Sequence, residues 1–212
     1  MATSNTPETK TPEGLDEKLV DPNPVTQFQR WLDEAITADI HLPEAMTLAT
    51  ATTDGKPSAR LVLLKRVDEN GFVFFTNYRS AKARDLDNNP FAALVFYWPQ
   101  FERQVRVEGK VQRTSVAESL EYFQTRPRES QIGALASPQS EVISGRDVLE
   151  KRSAELEQLY GDRTIECPPY WGGYRLVPER IEFWKGRVGR LHDRILYERE
   201  TDGSWTIKRL AP

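Results

Sequence analysis

The sequence predicts a mainly β protein with inserted helices, in which antiparallel strands close or partly close into a barrel. Short runs of β-branched and aromatic residues recur along most of the chain. The turn signals Asp54-Gly55 and Asn70-Gly71 separate neighbouring runs at hairpin spacing. Hairpins favour antiparallel pairing over βαβ units, which argues against a doubly wound nucleotide-binding fold.

The individual elements follow from periodicity and turn residues. The strands are predicted at residues 45–52, 60–65, 71–76, 91–98, 104–113, 174–184, 191–198 and 204–210. The helices are predicted at residues 25–36, 81–88, 115–125, 128–135 and 146–160. Phe28, Trp31 and Ala35 give the first helix an apolar stripe, and Ser80 is a plausible N-cap for the second. The buried stripe predicted for the last helix is Val148, Leu149, Leu156 and Leu159.

Composition indicates one ordinary globular domain behind an arm. The chain has 212 residues, which is enough for one substantial core. Residues 1–24 are rich in Thr, Pro, Glu, Asp and Lys and almost lack large apolar side chains. We therefore expect a flexible N-terminal arm at 1–24 and a single domain at 25–212.

Charge and residue counts exclude several classes of function. The net charge of −3 provides no global field for nucleic acid. A single cysteine excludes an internal disulfide, and with only two histidines a zinc site is not expected. No apolar run reaches membrane-spanning length, and the N-terminus lacks a signal-peptide pattern. We expect a cytoplasmic protein with no metal, nucleic-acid or membrane partner.

The most informative local pattern is RLHDR at residues 190–194. On a strand, Arg190, His192 and Arg194 would share one face because side chains alternate. Three adjacent cationic or titratable groups repel each other and bury nothing apolar, so they gain little unless an anion binds there. The pattern indicates a site for a phosphorylated ligand. The alternative is a solvated edge strand whose charges discourage aggregation.

Three further segments suit anions. The run 60–65 has a cation at each end, although basic strand ends are usually solvated. Lys82 lies in the first turn of a predicted helix, where free N–H groups favour phosphate; a capped surface helix is an equally good reading. Tyr122, Arg126 and Ser130 lie at four-residue spacing and suit an oxyanion, as an exposed helix face would also explain.

The chemistry is predicted to belong to a cofactor. The sequence contains no nucleophile elbow, no phosphate-binding glycine loop and no convincing carboxylate pair. The polar loop 137–140 has no base beside it. Several anion sites without a nucleophile indicate that a bound cofactor carries the reaction.

A set of motifs in fixed order carries a family resemblance. They are RLVLLK at 60–65, FTN at 75–77, ERQV at 102–105, YF at 122–123, RPR at 126–128, SQIG at 130–133, QS at 139–140, WGG at 171–173, IEFW at 181–184, RLHDR at 190–194 and RLAP at 209–212. Together they resemble pyridoxamine/pyridoxine 5′-phosphate oxidase over residues 21–212.

The resemblance implies an FMN-binding split β-barrel, antiparallel and of Greek-key type, and a homodimer with two FMN sites at the subunit interface. It also implies oxidation of pyridoxamine 5′-phosphate and pyridoxine 5′-phosphate to pyridoxal 5′-phosphate, a step of vitamin B6 salvage and biosynthesis. Molecular oxygen would accept the electrons and yield hydrogen peroxide.

The resemblance also assigns residues. Those implied to bind FMN are Arg60, Leu61, Val62, Leu63, Leu64, Lys65, Phe75, Thr76, Lys82, Gln104, Gln139, Ser140, Trp184 and Arg194, with Gln104 coming from one subunit and the last four completing the site. Those implied to bind the substrate are Lys65, Tyr122, Arg126, Ser130, Arg190 and His192. Arg190 and His192 are the implied catalytic residues, facing the substrate ring over the flavin.

Two departures from the family pattern stand out. Relatives commonly carry an arginine where this chain has Ala81, so one FMN phosphate contact is either missing or replaced by Arg79 or Arg84. The N-terminal arm lacks the Arg-x-x-Tyr segment that helps to close the site in some relatives.

Three rival functions remain: a split-barrel flavin reductase, a non-catalytic carrier of FMN or pyridoxal phosphate, and, least favoured, a nucleic-acid-binding protein.

Overall fold

Nine antiparallel strands and five helices make up residues 14–212, the part of the chain that the computed structural model describes. The strands are β1 (Ala45–Ala51), β2 (Pro57–Leu63), β3 (Arg66–Asp68), β4 (Gly71–Asn77), β5 (Phe91–Trp98), β6 (Arg103–Arg113), β7 (Trp171–Lys185), β8 (Asp193–Arg199) and β9 (Trp205–Arg209). The helices are α1 (Pro24–Thr37), α2 (Ala81–Asn88), α3 (Val116–Thr125), α4 (Arg128–Ala136) and α5 (Arg146–Tyr160). The predicted mainly β split-barrel fold is confirmed.

The strands form one curled sheet in which β7 has three neighbours. The order is β2-β1-β5-β6-β7-β4-β3, and β8 and β9 continue from β7. The first half of β7 pairs with β4 and its second half pairs with β8, while β6 runs along the other side of both halves. The sheet therefore divides at the middle of β7 into two lobes.

A bulge marks the point of division. The register of β6 and β7 shifts between Glu108 and Gly109, where Gly109 lies opposite Pro178. A Cβ on Gly109 would lie 2.1 Å from the carbonyl oxygen of Val177, so the close approach requires glycine. Pro178 has no N–H to give to a ladder, and it stands where pairing changes from β4 to β8.

The core lies between the curled sheet and α1. Asn23 caps this helix by accepting N–H bonds from Val25 and Thr26. Phe28 is fully buried and its ring contacts Phe72 and Phe96 at centroid distances of 4.9 and 4.8 Å. Hence α1 packs against β4 and β5 through this ring, and against the second half of β7 through Trp31, whose ring lies 5.2 Å from that of Phe183.

The last helix packs differently from the prediction. None of its residues is fully buried, and Val148 and Leu159 of the predicted stripe are 37% and 60% exposed. The side chains that pack against the smaller core cluster include Leu156 and Tyr160. The helix packs against α4, and part of its apolar surface faces solvent.

Within residues 14–212 no helix is both long and apolar enough to span a membrane.

The end of the predicted arm is tied to the domain. Residues 1–13 of the predicted 1–24 arm lie outside the described residues. From residue 14 onward the segment bonds to β8 and β9: Leu15 N donates to Asp193, and Arg209 bonds to the Leu15 carbonyl and pairs with Glu17. Backbone bonding that sequence composition does not reveal thus holds residues 14–24 against the barrel.

The buried ring of Phe28 yields a stability prediction. Phe28→Ala removes a fully buried aromatic side chain and leaves a cavity, so the free energy of unfolding should fall by about 3–5 kcal/mol. Urea unfolding followed by far-UV circular dichroism measures the loss. Gln29→Ala, on the exposed side of the same helix, is the matched control and should change little. Equal stability of the two variants would contradict this account of the core.

Candidate active site

A cavity of about 480 Å³ opens between β2, β4, the start of α2 and the junction of α3 with α4. Its lining includes most of the predicted site residues. They are Arg60, Leu61, Val62, Leu63, Lys65, Phe75, Thr76, Lys82, Tyr122, Arg126, Ser130 and Gln139. The lining therefore holds four cationic side chains, and no described residue with a carboxylate joins them.

One end of the cavity is formed by Arg60 and Lys82. Lys82 begins the first turn of α2, where Ser80 is the N-cap as predicted. Its amine lies 3.2 Å from Thr76 Oγ1 and 3.0 Å from Gln139 Oε1. Burial, together with the neighbouring Arg60 charge, lowers the pKa of Lys82, and burial also lowers the pKa of the Arg60 guanidinium. Two desolvated like charges at a helix N-terminus are suited to an anion.

The other end is formed by the α3–α4 junction. Arg126 caps the C-terminus of α3 and Ser130 lies in the first turn of α4, so the sharp turn at Pro127 directs Tyr122, Arg126 and Ser130 into one cavity. Arg126 Nη1 is buried and has no hydrogen-bond partner among residues 14–212. Burial lowers the pKa of Arg126 and raises that of Tyr122. A buried donor of this kind is available to an anionic ligand.

Stacked aromatic rings form the wall between the two ends. Phe75 lies 4.1 Å from Tyr122 and 5.4 Å from Trp171 between ring centroids, and the three rings are nearly parallel. Arg126 lies over the Trp171 ring at 4.8 Å. Gly173 is the cross-strand partner of Phe75, and a Cβ there would lie 2.9 Å from the Phe75 ring. The glycine thus allows the ring to lie flat against β7.

Two predicted residues sit at the margin of this cavity. Leu64 is 5% exposed and its side chain belongs to the core, so only its backbone is available to a ligand. Ser140 is exposed and adopts a positive φ of 72°, one residue beyond Gln139, which itself lines the cavity. The structure therefore brings Gln139, but not the Ser140 side chain, to the cation pair.

A second group of predicted residues lies elsewhere in the same chain. Gln104 is the register partner of Trp184, and Trp184 is the partner of Arg194, so these three form a row across β6, β7 and β8. None of them lines the cavity. The resemblance had separated Gln104 from Trp184 and Arg194, whereas the structure places all three together. It leaves Gln139 with the cavity group.

The Arg194 guanidinium already has hydrogen-bond partners within its own chain. Its guanidinium bonds both carboxylate oxygens of Glu182, at 2.8 and 3.0 Å, and also the carbonyl oxygen of Ala211 at 2.9 Å. The Glu182 bond raises the pKa of Arg194. Such a forked pair fixes the orientation of a planar guanidinium. In the single chain, Arg194 therefore joins β7 to the C-terminal residues.

The predicted strand alternation at RLHDR is only partly right. Strand β8 begins at Asp193, and residues Val188–Arg190 form a 3₁₀ turn in which Gly189 and Arg190 have φ of 73° and 63°. Arg190 is therefore an exposed turn residue and not a strand residue. The turn-forming glycine ends the extended pattern, whereas His192 and Arg194 do lie beside Trp184.

The turn that carries Arg190 and His192 is anchored at its base by Asp193. This buried carboxylate accepts bonds from Leu15 N at 3.0 Å and from Arg209 at 2.9 Å, and it pairs with Arg187 at 3.0 Å. The backbone N–H of Arg187 donates to Nδ1 of His192 at 3.1 Å. The His192 ring is thereby fixed with Nδ1 as the acceptor.

Some lining residues were not predicted as site residues. They are Asn77, Gly133, Ala134, Ser137 and Trp171. Trp171, Asn77 and Gly133 lie in the motifs WGG, FTN and SQIG, so those motifs were the available signal. Ala134 and Ser137 enter because one face of α4 and the residue after it border the cavity, and this depends on helix packing.

Two known family profiles match most of this chain. A family profile described as pyridoxamine 5′-phosphate oxidase matches residues 32–160, and one described as the pyridoxine 5′-phosphate oxidase C-terminal dimerisation region matches residues 171–212. The chain belongs to the pyridoxamine 5′-phosphate oxidase family. As a family member it is an oxidoreductase and an FMN flavoprotein, as the sequence predicted, and the dimerisation region supports the predicted homodimer.

Individual relatives agree with this membership. Proteins named pyridoxine/pyridoxamine 5′-phosphate oxidase from Rubrobacter xylanophilus and Nostoc punctiforme are 58% and 56% identical to the chain, each over 94% of it and over 91% and 94% of their own lengths. The crystal structure of PhzG from Burkholderia lata, in complex with tetrahydrophenazine-1-carboxylic acid, superposes with a TM-score of 0.89 at 31% identity. That match covers 95% of this chain and 100% of PhzG.

Proposed function

We propose that the protein oxidises pyridoxamine 5′-phosphate and pyridoxine 5′-phosphate to pyridoxal 5′-phosphate with FMN as cofactor and molecular oxygen as electron acceptor. The observation that carries the proposal is the cavity with cations at both ends and no carboxylate among its described lining residues. One phosphorylated ligand would satisfy one end only. Two phosphates, one of the cofactor and one of the substrate, account for both ends.

The Arg60–Lys82 end suits the FMN phosphate. The two cations lie beside the N-terminus of α2, and Thr76 and Gln139 provide neutral hydrogen-bonding groups next to them. Among the strands of residues 14–212, β2 pairs with β1 alone, so alternate backbone groups along its outer edge are available to a flavin. Leu61, Val62 and Leu63 are the lining residues of that edge.

The Arg126 end suits the substrate phosphate. Arg126 would supply the unused Nη1 donor, and Tyr122 and Ser130 would supply hydroxyl groups. Lys65 lines the same cavity and adds a fourth cation. A flavin reductase would have no need for this second, unpaired cationic set, whereas a substrate carrying a phosphate accounts for it.

A second subunit would complete the site. Gln104, Trp184 and Arg194 form their row on a face that also exposes Tyr97, which is 58% exposed and paired in register with Gln104. The family's dimerisation region covers β7, β8 and β9. We place this row, with the His192 turn, against the cavity of the other subunit.

The residues of the chain then act by binding and orientation. FMN, when bound, accepts the two electrons released by the C4′ carbon of the substrate. Anchoring two phosphates at opposite ends of one cavity turns binding energy into proximity of the reacting groups. The cations also stabilise negative charge in a site partly screened from water. Arg190 and His192 would orient the substrate ring.

The cytoplasmic location of the protein stays a prediction.

An aerobic assay tests the proposal. Purified protein with FMN and pyridoxamine 5′-phosphate should form aldehyde and hydrogen peroxide in equal amounts. A flavin reductase would instead consume a reduced nicotinamide without forming aldehyde. A carrier would bind FMN or pyridoxal 5′-phosphate without turnover, so either result would contradict the proposed oxidase.

Removal of the unpaired guanidinium should weaken substrate binding. Arg126→Ala deletes a charge-assisted bond to the substrate phosphate worth about 1.5–3 kcal/mol, so KM should rise roughly ten- to a hundred-fold. Steady-state kinetics with pyridoxine 5′-phosphate measure the change. Arg128→Ala is the control, because Arg128 points away to Glu157 and the Gly161 carbonyl. An unchanged KM for Arg126→Ala would show that the α3–α4 junction does not bind the substrate phosphate.

Arg190 should matter for turnover more than for cofactor binding. Arg190→Met removes a guanidinium that is exposed in the single chain and lines no part of the cavity. We expect kcat to fall by roughly ten- to a hundred-fold, the equivalent of one charge-assisted bond, while the Kd for FMN stays unchanged. Equal losses in kcat and FMN affinity would show that Arg190 is wrongly assigned.

Ala81 allows a gain of affinity. Arg79 lies over the Tyr170 ring, Arg84 donates to the Arg79 carbonyl, and neither lines the cavity, so neither replaces the arginine common in relatives. Ala81→Arg should add a charge-assisted bond at the start of α2 and tighten FMN binding by roughly ten- to a hundred-fold. Fluorescence titration of flavin-free protein measures it. Unchanged or weaker binding would mean that Arg60 and Lys82 already satisfy the phosphate.

A further inference from the structure

A buried hydroxyl links Arg60 to the helix that carries Lys82. Thr50 lies on β1, is 3% exposed, and accepts a bond from Arg60 Nη1 at 2.7 Å. The same hydroxyl donates to Asp85 Oδ2 on α2, also at 2.7 Å. Since a hydroxyl has one hydrogen, donation to Asp85 leaves its lone pairs directed at the guanidinium. The Asp85 carboxylate therefore sets the direction of the Thr50 oxygen.

The arrangement keeps Arg60 and Asp85 apart. Arg60 Nη2 and Asp85 Oδ2 are 3.8 Å from each other, which is too long for a hydrogen bond. The remaining contacts of Nη1 and Nη2 are the Leu48 carbonyl at 3.3 Å and Ser58 Oγ at 2.6 Å. Three neutral oxygens thus accept hydrogen bonds from the guanidinium. No carboxylate forms a direct two-bond pair with it, so its positive charge is not neutralised there.

The charge of Asp85 has a second effect on the same cations. Burial and, to a smaller extent, repulsion by the Arg60 charge lower the pKa of Lys82, while burial lowers and the Asp85 charge raises the pKa of Arg60. A carboxylate one hydroxyl away offsets part of this repulsion without a direct hydrogen bond to the guanidinium. The pair of cations can therefore stay in place before an anion binds.

We propose that Thr50 is a positioning residue for the FMN phosphate: its hydroxyl, oriented by Asp85, holds the Arg60 guanidinium at the phosphate end of the cavity. This inference rests on the proposed function, in which Arg60 binds that phosphate. Thr50 itself does not line the cavity, so it acts through Arg60 alone.

The test compares two flavins on the full-length, flavin-free protein. Thr50→Val keeps the shape of the side chain and deletes the hydroxyl, and it should weaken FMN binding about five- to thirty-fold, the effect of one lost hydrogen bond. Riboflavin has no phosphate, so its affinity should not change. Thr50→Ser keeps the hydroxyl and should restore FMN affinity. Titration of flavin fluorescence gives every Kd, and thermal unfolding confirms that each variant is folded.

Controls separate the roles. Thr52→Val also deletes a hydroxyl that bonds an aspartate, but at the β1–β2 turn, and it should leave FMN affinity unchanged. In an Asp85→Ala background, Thr50→Val should cost less than in the wild type, because the hydroxyl has lost its orienting partner. Fully additive losses would overturn the part assigned to Asp85.

Two results would overturn the role of Thr50. One is wild-type FMN affinity in Thr50→Val; the other is an equal loss for FMN and riboflavin, which would indicate a general structural effect. Arg60→Gln distinguishes this failure from failure of the proposed function. If Arg60→Gln binds FMN as tightly as the wild type, the phosphate is not at Arg60 and the cofactor assignment itself falls.

Discussion

Strand β7 is the constraint on which the rest of the molecule depends. It pairs with β6 from Tyr174 to Lys185, with β4 through its first half and with β8 through its second half. The first half carries Trp171 and Gly173 behind the cavity, and the second half carries Trp184 on the exposed row. One continuous backbone therefore fixes the spacing between the two groups of site residues, and the bulge at Gly109 lies between them.

The electrostatics of the cavity complement this geometry. Desolvation lowers the pKa values of Arg60, Lys82 and Arg126, so the folded chain pays to keep these groups charged and buried. A lowered pKa means that the folded state disfavours the protonated, charged form of these groups. A bound phosphate stabilises the charged form and so offsets part of the desolvation cost. Binding and stability are linked in this way: a ligand that binds only the folded chain stabilises it.

The sequence predicted elements best where a local signal and a tertiary contact agree. The hairpin signals Asp54-Gly55 and Asn70-Gly71 lie where β1 joins β2 and β3 joins β4, and in the second case Gly71 is already the first residue of β4. Tyr122, Arg126 and Ser130, which are spaced four residues apart, all line one cavity although the chain turns at Pro127. The short β3 was missed because three residues are too few for an alternating pattern.

Taken alone, the sequence determined the strand-rich architecture, the capped start of α2, and the set of cations without a nucleophile, since these follow from periodicity, capping chemistry and residue type. Only the tertiary structure decided which cations share a cavity, that Arg190 leaves the strand, and that Gln104 stands with Trp184 rather than apart from it. These features depend on strand register, on a positive φ and on packing across the sheet. Such contacts join residues far apart in sequence, and local patterns carry no record of them.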